Sequence, residues 1–246
     1  MKTGLEGRTV LITGAARNIG RQMAVMFAEE GANLAICTSR NMDGLHTTAG
    51  EVEKAGGQVM TEQVDVTDQT AVEQFVQRAH DKFGRIDVLV NNAVYRSEGD
   101  LLNEPVEDWM RNIAVNLHGP YFTCKAAIPK MIDAKWGRIV NFSGYAPYLG
   151  SYPGKAMVKL GIVGFTRGLA KQYGPHNITA NCIGPGHIDV ERDAFQDASK
   201  GVFDFQPIRR DGQPQEVASL AVYLASENAG FTTGQCYLVN GGAYFQ

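Results

Sequence analysis

The chain is poor in the residue types that build small cross-linked or metal-held folds. Its four cysteines, Cys37, Cys124, Cys182 and Cys236, lie far apart with no CxxC pair, which excludes a disulfide scaffold and a zinc site of the usual spacing. His46, His80, His118 and His176 form no ligand pattern either, so no metal is expected. Charge of one sign is also missing. Lysine and arginine number 23 against 26 acidic residues, a net charge of −3, so no nucleic acid is expected as a partner. No apolar run approaches the roughly 18 residues of a membrane span. The stretch Met1 to Val10 lacks the apolar core of a signal peptide. These absences lead to the expectation of a cytoplasmic protein with no membrane role. Only glycine is in excess, with 28 residues among 246, about 11% against a usual ~7%.

What is present is an alternation. Short, nearly continuous apolar runs occupy Thr9–Thr13, Asn33–Thr38, Gln58–Val64, Ile86–Val90, Arg138–Phe142, Ile178–Ile183 and Gln235–Val239. Runs of this kind fit parallel strands buried on both faces. Helical periodicity fills the intervals Ile19–Glu30, Asp68–Phe83, Pro105–Val115 and Lys159–Tyr173, the first two stopped by Gly31 and Gly84. The predicted fold is α/β: one doubly wound, Rossmann-type parallel sheet of about seven strands with helices on both faces. No linker or repeat divides it, so residues 1–246 are expected to form one dinucleotide-binding domain. The polar stretch 189–210, between two late strands, is expected to be a substrate lid.

The first strand runs through Thr13-Gly14-Ala15-Ala16-Arg17-Asn18-Ile19-Gly20 into a helix. Such a turn aims backbone N–H groups and the positive helix end at a phosphate. The second strand then closes on Ser39-Arg40, without the carboxylate that suits a free ribose 2′-hydroxyl. Arg17 and Arg40 could clasp a 2′-phosphate, with Ser39 adding a hydroxyl. NADP(H) is therefore the preferred cofactor, with NAD(H) the alternative.

These features make the sequence similar, nearly end to end, to the short-chain dehydrogenase/reductase family. Thr13-Gly14-x-x-x-Asn18-Ile19-Gly20 resembles its cofactor loop, with Asn18 where the family usually has glycine; asparagine tolerates positive φ well enough to keep the turn. Asp65-Val66 resembles the adenine-binding pair, and Asn91-Asn92-Ala93 the segment after the fourth strand, with Val94 replacing its glycine. Pro185-Gly186-x-Ile188 resembles the tract beside the nicotinamide, and Val239-Asn240-Gly241-Gly242 the family's closing motif. The resemblance assigns Asn116 to a water relay, Ser143 to the substrate oxygen and Lys159 to the ribose hydroxyls. It also implies a homotetramer or homodimer and a small carbonyl or alcohol substrate.

The catalytic Tyr-x-x-x-Lys pair is broken. Gly164-Phe165-Thr166-Arg167 fixes the lysine at Lys159, and four residues earlier stands Lys155. Tyr152 is the nearest tyrosine, seven residues from Lys159; it could reach inward only from a loop before a late-starting helix. Free tyrosine and lysine titrate near about 10 and 10.4, and a neighbouring Lys159 should lower the pKa of Lys155. Lys155 could then exchange the proton. The expected function is NADP-dependent interconversion of a carbonyl and a secondary alcohol. The alternative is a catalytically silent NADP(H)-binding sensor or assembly subunit; a third reading makes Lys155 a Schiff-base amine.

Overall fold

The computed structural model describes residues 2–96, 100–150, 152–191 and 206–245. Seven parallel strands form one sheet in the order β3-β2-β1-β4-β5-β6-β7: β1 (Thr9–Thr13), β2 (Asn33–Thr38), β3 (Val59–Gln63), β4 (Val88–Asn91), β5 (Gly137–Phe142), β6 (Ile178–Pro185) and β7 (Cys236–Val239). The central strands β1, β4 and β5 are buried almost throughout. That burial on both faces is why their sequences show no polar alternation.

Among the described residues seven α-helices surround the sheet: α1 (Asn18–Glu29), α2 (Met42–Lys54), α3 (Gln69–Phe83), α4 (Val106–Ile113), α5 (Gly119–Asp133), α6 (Pro153–Tyr173) and α7 (Pro214–Ala225). Met23, Phe27, Leu45, Val52 and Val217, from α1, α2 and α7, build the core on one face. Val72, Phe75, Cys124, Ile128 and Leu169, from α3, α5 and α6, build it on the other. The doubly wound arrangement matches the expectation. Among the described residues no helix is long and apolar enough to cross a membrane.

Three differences from the sequence-based elements bear on the site. The helix expected over Pro105–Val115 ends as α-helix at Ile113 and passes through a π-helical turn, Ala114–His118, into α5. The helix expected from Lys159 begins six residues earlier, at Pro153, a proline at the first helical position, where its missing N–H is harmless. Lys155 and Lys159 therefore lie on one helix. Of the lid expected over 189–210, residues 192–205 lie outside the described residues. At its near end Asp189 N–H donates to Gly212 O at 2.8 Å, beside a parallel bridge between Ile188 and Gly212.

Candidate active site

The order reverses between β1 and β4, and the candidate residues lie at the carboxyl ends of the strands, where open α/β sheets bind ligands. At the tip of β1, Gly14 takes φ 68° and Asn18 takes φ 56°. The asparagine thus adopts the left-handed conformation that glycine would supply. Its side chain also holds both backbone groups of Glu191: Nδ2 donates to Glu191 O at 2.9 Å and Oδ1 accepts from Glu191 N–H at 3.0 Å. A Cβ on Gly20 would run into the Gly14 carbonyl oxygen and come within 2.7 Å of Asn92 Nδ2. Asn92 Nδ2 donates to Thr13 O and Gly14 O, and Ala93 N–H donates to Thr13 Oγ1. The turn is thereby pinned to the end of β4. The Arg17 side chain at its N-cap makes no capping hydrogen bond, and the first turn of α1 holds no carboxylate.

This cradle fits a dinucleotide pyrophosphate: small residues permit close approach, and the helix end offers its N–H groups. Ser39 and Arg40 follow β2 and are exposed, as is Arg17 at the start of α1. Asp65 follows β3. Its carboxylate accepts from Thr67 N–H at 3.0 Å and Thr67 Oγ1 at 2.8 Å and lies 3.5 Å from Arg111 Nη2. Partial burial pulls its pKa up, but those two hydrogen bonds and Arg111 outweigh this and hold it below the ordinary carboxylate value. Val66 is buried against Gly119. Gly186, after β6, sits so close to Asn240 that a Cβ would fall 2.6 Å from its Cα.

The residues expected at the reacting end lie between β5, β6 and α6. Asn116 stands in the π-turn, a feature that recurs at functional sites. Its Nδ2 donates to Tyr95 O at 2.8 Å and to Asn112 O at 2.9 Å. Ser143 Oγ donates to Lys159 O at 2.8 Å, and Lys159 Nζ donates to Phe142 O at 3.3 Å. Burial lowers the pKa of the Lys159 ammonium to about 8; Arg96 and Lys155 push the same way while Cys182 opposes them. Lys155 is half-buried and lies one helical turn before Lys159. Tyr152 is the residue before α6, with φ 41° and its side chain 55% exposed. Tyr152 thus stands in the loop just ahead of α6, seven residues before Lys159.

Sequence reasoning missed a second layer. Thr123 Oγ1 donates to Asn91 Oδ1, Asn91 Nδ2 donates to Asn141 Oδ1, and Asn141 Nδ2 donates to Thr166 Oγ1, at 2.6, 2.8 and 2.9 Å. This buried chain ties β4 and β5 to α5 and α6 beneath the site. Tyr145 stands two residues past Ser143; its ring meets that of His187 edge-on at 5.9 Å, and burial raises its pKa. No local pattern would have paired the two.

The arrangement defines a dinucleotide-dependent oxidoreductase class, and relatives agree. The family described as Enoyl-(Acyl carrier protein) reductase matches residues 14–244. The 3-oxoacyl-[acyl-carrier-protein] reductase of Synechocystis sp. is 34% identical over 98% of both chains. The (2S)-[(R)-hydroxy(phenyl)methyl]succinyl-CoA dehydrogenase subunit BbsD of Thauera aromatica is 35% identical over 97% of both. A short-chain type dehydrogenase/reductase from Mycobacterium marinum superimposes with a TM-score of 0.93 at 29% identity, over 99% of this chain and 98% of that one. The chain belongs to the short-chain dehydrogenase/reductase family and is an NAD(P)-dependent enzyme of that class.

Proposed function

We propose that the chain interconverts a carbonyl and a secondary alcohol with NADP(H), using Lys155 where its family uses tyrosine. The observation that carries this reading is the geometry of α6. Lys155 and Lys159 are four residues apart on one helix, about 6 Å along its axis and on one face, with Ser143 bonded to the backbone of Lys159. A bound nicotinamide coenzyme would supply the hydride. The chain's own residues would hold it through Gly14, Arg17, Asn18, Ile19, Gly20, Ser39, Arg40, Asp65, Val66, Asn92, Ala93, Lys159, Pro185, Gly186 and Ile188. Arg17 and Arg40 favour the 2′-phosphate of NADP(H), and no carboxylate follows β2 to favour NAD(H).

Ser143 Oγ orients the substrate oxygen. Lys155 donates its ammonium proton to that oxygen in reduction, or accepts it in oxidation, and Asn116 positions water that reconnects the amine with solvent. Lys155 is among the charges that press on Lys159, and Coulomb repulsion between two ammonium groups is mutual. The names of the relatives point to an acyl thioester bearing the carbonyl as the substrate class. We assign the work to one domain spanning 1–246, in the cytoplasm. A homotetramer or homodimer is supported by exposed Met110, Tyr121, Met157 and Leu160 on α4, α5 and α6.

The test is Lys155→Met, with NADPH affinity measured by fluorescence apart from turnover on a panel of 3-oxoacyl thioesters. We expect kcat to fall about 100-fold or more, the range of general acid–base catalysis, with NADPH affinity retained. Unchanged turnover would remove Lys155 from the mechanism. A wild-type chain that binds NADPH but oxidises none with any carbonyl would favour the silent binding protein. An adduct trapped by borohydride would favour the Schiff base.

A further inference from the structure

Cys182 and Cys236 are direct register partners on the adjacent parallel strands β6 and β7. Partners on neighbouring strands point to the same face of the sheet and stand about 4.7–4.9 Å apart, within the roughly 4.4–6.8 Å between Cα atoms that a disulfide spans. Both carry free thiols, and the two thiols stand close enough to shift each other's pKa. Cys182 is sealed in a small cluster with Ile162 and Val163 of α6. Cys236 is half-buried and lines a cleft of about 360 Å³ together with Asn240, Gly242, Tyr244 and Phe245. The inner sulfur is therefore shielded while the outer one faces an entrance.

The surroundings favour attack by the outer sulfur. The Cys182 thiol, the Tyr148 hydroxyl and the Arg167 charge hold the Cys236 thiol below its ordinary pKa, against the effect of partial burial. Burial raises Cys182. The other two cysteines, Cys37 and Cys124, are fully buried, and burial outweighs the hydrogen bonds from the Gly14 backbone to the first and from Asn91 and Thr123 to the second, pushing each up to about 12. They provide an internal contrast, since the thiolate is the reactive form.

We propose that Cys182 and Cys236 are a reversible dithiol–disulfide pair oxidised by hydroperoxides, with Cys236 as the attacking sulfur. The Cys236 thiolate attacks one peroxide oxygen and breaks the O–O bond. Cys236 becomes a sulfenic acid, and for hydrogen peroxide the departing hydroxide takes a proton and leaves as water. Cys182 then attacks the sulfenyl sulfur; its proton joins the departing hydroxide as a second water. In sum, two thiols and one hydrogen peroxide give one disulfide and two waters.

The pair is wired to the catalytic loop. Tyr148 lies in the 3-10 turn Ala146–Leu149 that begins three residues after Ser143. Its hydroxyl lies near enough to lower the Cys236 pKa, and its ring stacks on Tyr244 at 5.3 Å, with 16° between the rings. Oxidation of Cys236 removes the thiol beside Tyr148. The proposal stands whichever coenzyme the site takes.

The experiment exposes the reduced full-length chain to hydrogen peroxide, denatures it in alkylating reagent and maps its peptides by mass. We expect a Cys182–Cys236 linked peptide pair, two hydrogens lighter and restored by dithiothreitol. Cys236 should react about tenfold faster than Cys37 or Cys124. In Cys182→Ser the sulfenic acid should persist at Cys236 and be trapped by dimedone; in Cys236→Ser, Cys182 should stay reduced. Full alkylation of both cysteines in the wild type, or a sulfinic acid at Cys236 beside an alkylated Cys182, would overturn the proposal.

Discussion

At the scale of single residues, two positions separate what backbone geometry requires from what chemistry requires. Gly20 has no room for a side chain, because a Cβ there meets the Gly14 carbonyl oxygen and the Asn92 amide. Gly20→Ala should therefore push the β1–α1 turn out of shape, costing about 1–3 kcal/mol of stability as overpacking does. It should also weaken NADPH binding at least tenfold; chemical denaturation and a coenzyme titration read the two effects separately. Lys159 poses an electrostatic question. Its ammonium is costlier in the folded chain, so its pKa falls from 10.5 to about 8. The unfolded chain then binds more protons between those values, and folding stability attributable to this group rises with pH across that window. Below about pH 8 the proton is bound in both states and the full penalty applies. Wild type should accordingly gain stability relative to Lys159→Met between pH 8 and 10, as read by urea midpoints; no change in their difference would remove the depressed ammonium.

At the scale of elements, the sequence was most legible where burial is complete and least where helices carry narrow apolar stripes. The strand runs were readable because β1, β4 and β5 are covered on both faces. Helix α2 escaped notice since it buries only Leu45, Thr48 and Val52, too few for a clear period. Helix α5 was obscured by Pro120 and Pro129 within it. Helix α7 also went unread, although Pro214 stands at its first turn and Glu216 accepts from Gln213 N–H at 2.7 Å. The β1–α1 turn was legible because its constraints are local. The clasp of Asn18 on Glu191 and the chain from Thr123 to Thr166 join residues far apart in sequence, and no spacing rule anticipates them. That chain makes its own prediction. Asn141→Ala leaves the buried Asn91 amide and Thr166 hydroxyl each short of a partner, which should cost about 1–3 kcal/mol for each group stranded. It should also loosen α6 against the sheet, so hydrogen exchange along α6 ought to quicken together with the fall in stability.

At the scale of the whole molecule, the two edges of the sheet do different work. At the amino ends of the strands, Asp87 is fully buried and receives Arg8 at 3.0 Å, Arg85 at 2.6 Å and the Thr9 N–H at 2.9 Å. Arg8 and Arg138 both lie over the Trp136 ring, at 3.8 and 4.2 Å. Asp87→Ala should cost about 3–5 kcal/mol, because charged groups lose a buried partner, with kcat unchanged in the fraction that remains folded. At the carboxyl ends lie the small-residue turn, the amino end of α1 and the pair of lysines on α6, where we propose that an amine replaces the phenol of the family. A crystal structure with NADP(H) bound measures that departure directly, through the distance from Lys155 Nζ to the substrate-side face of the nicotinamide. The account predicts that Nζ lies within about 3 Å of the water or substrate oxygen held by Ser143. A coenzyme seated in the cleft with Lys155 turned to solvent and a tyrosine hydroxyl in that place would contradict it.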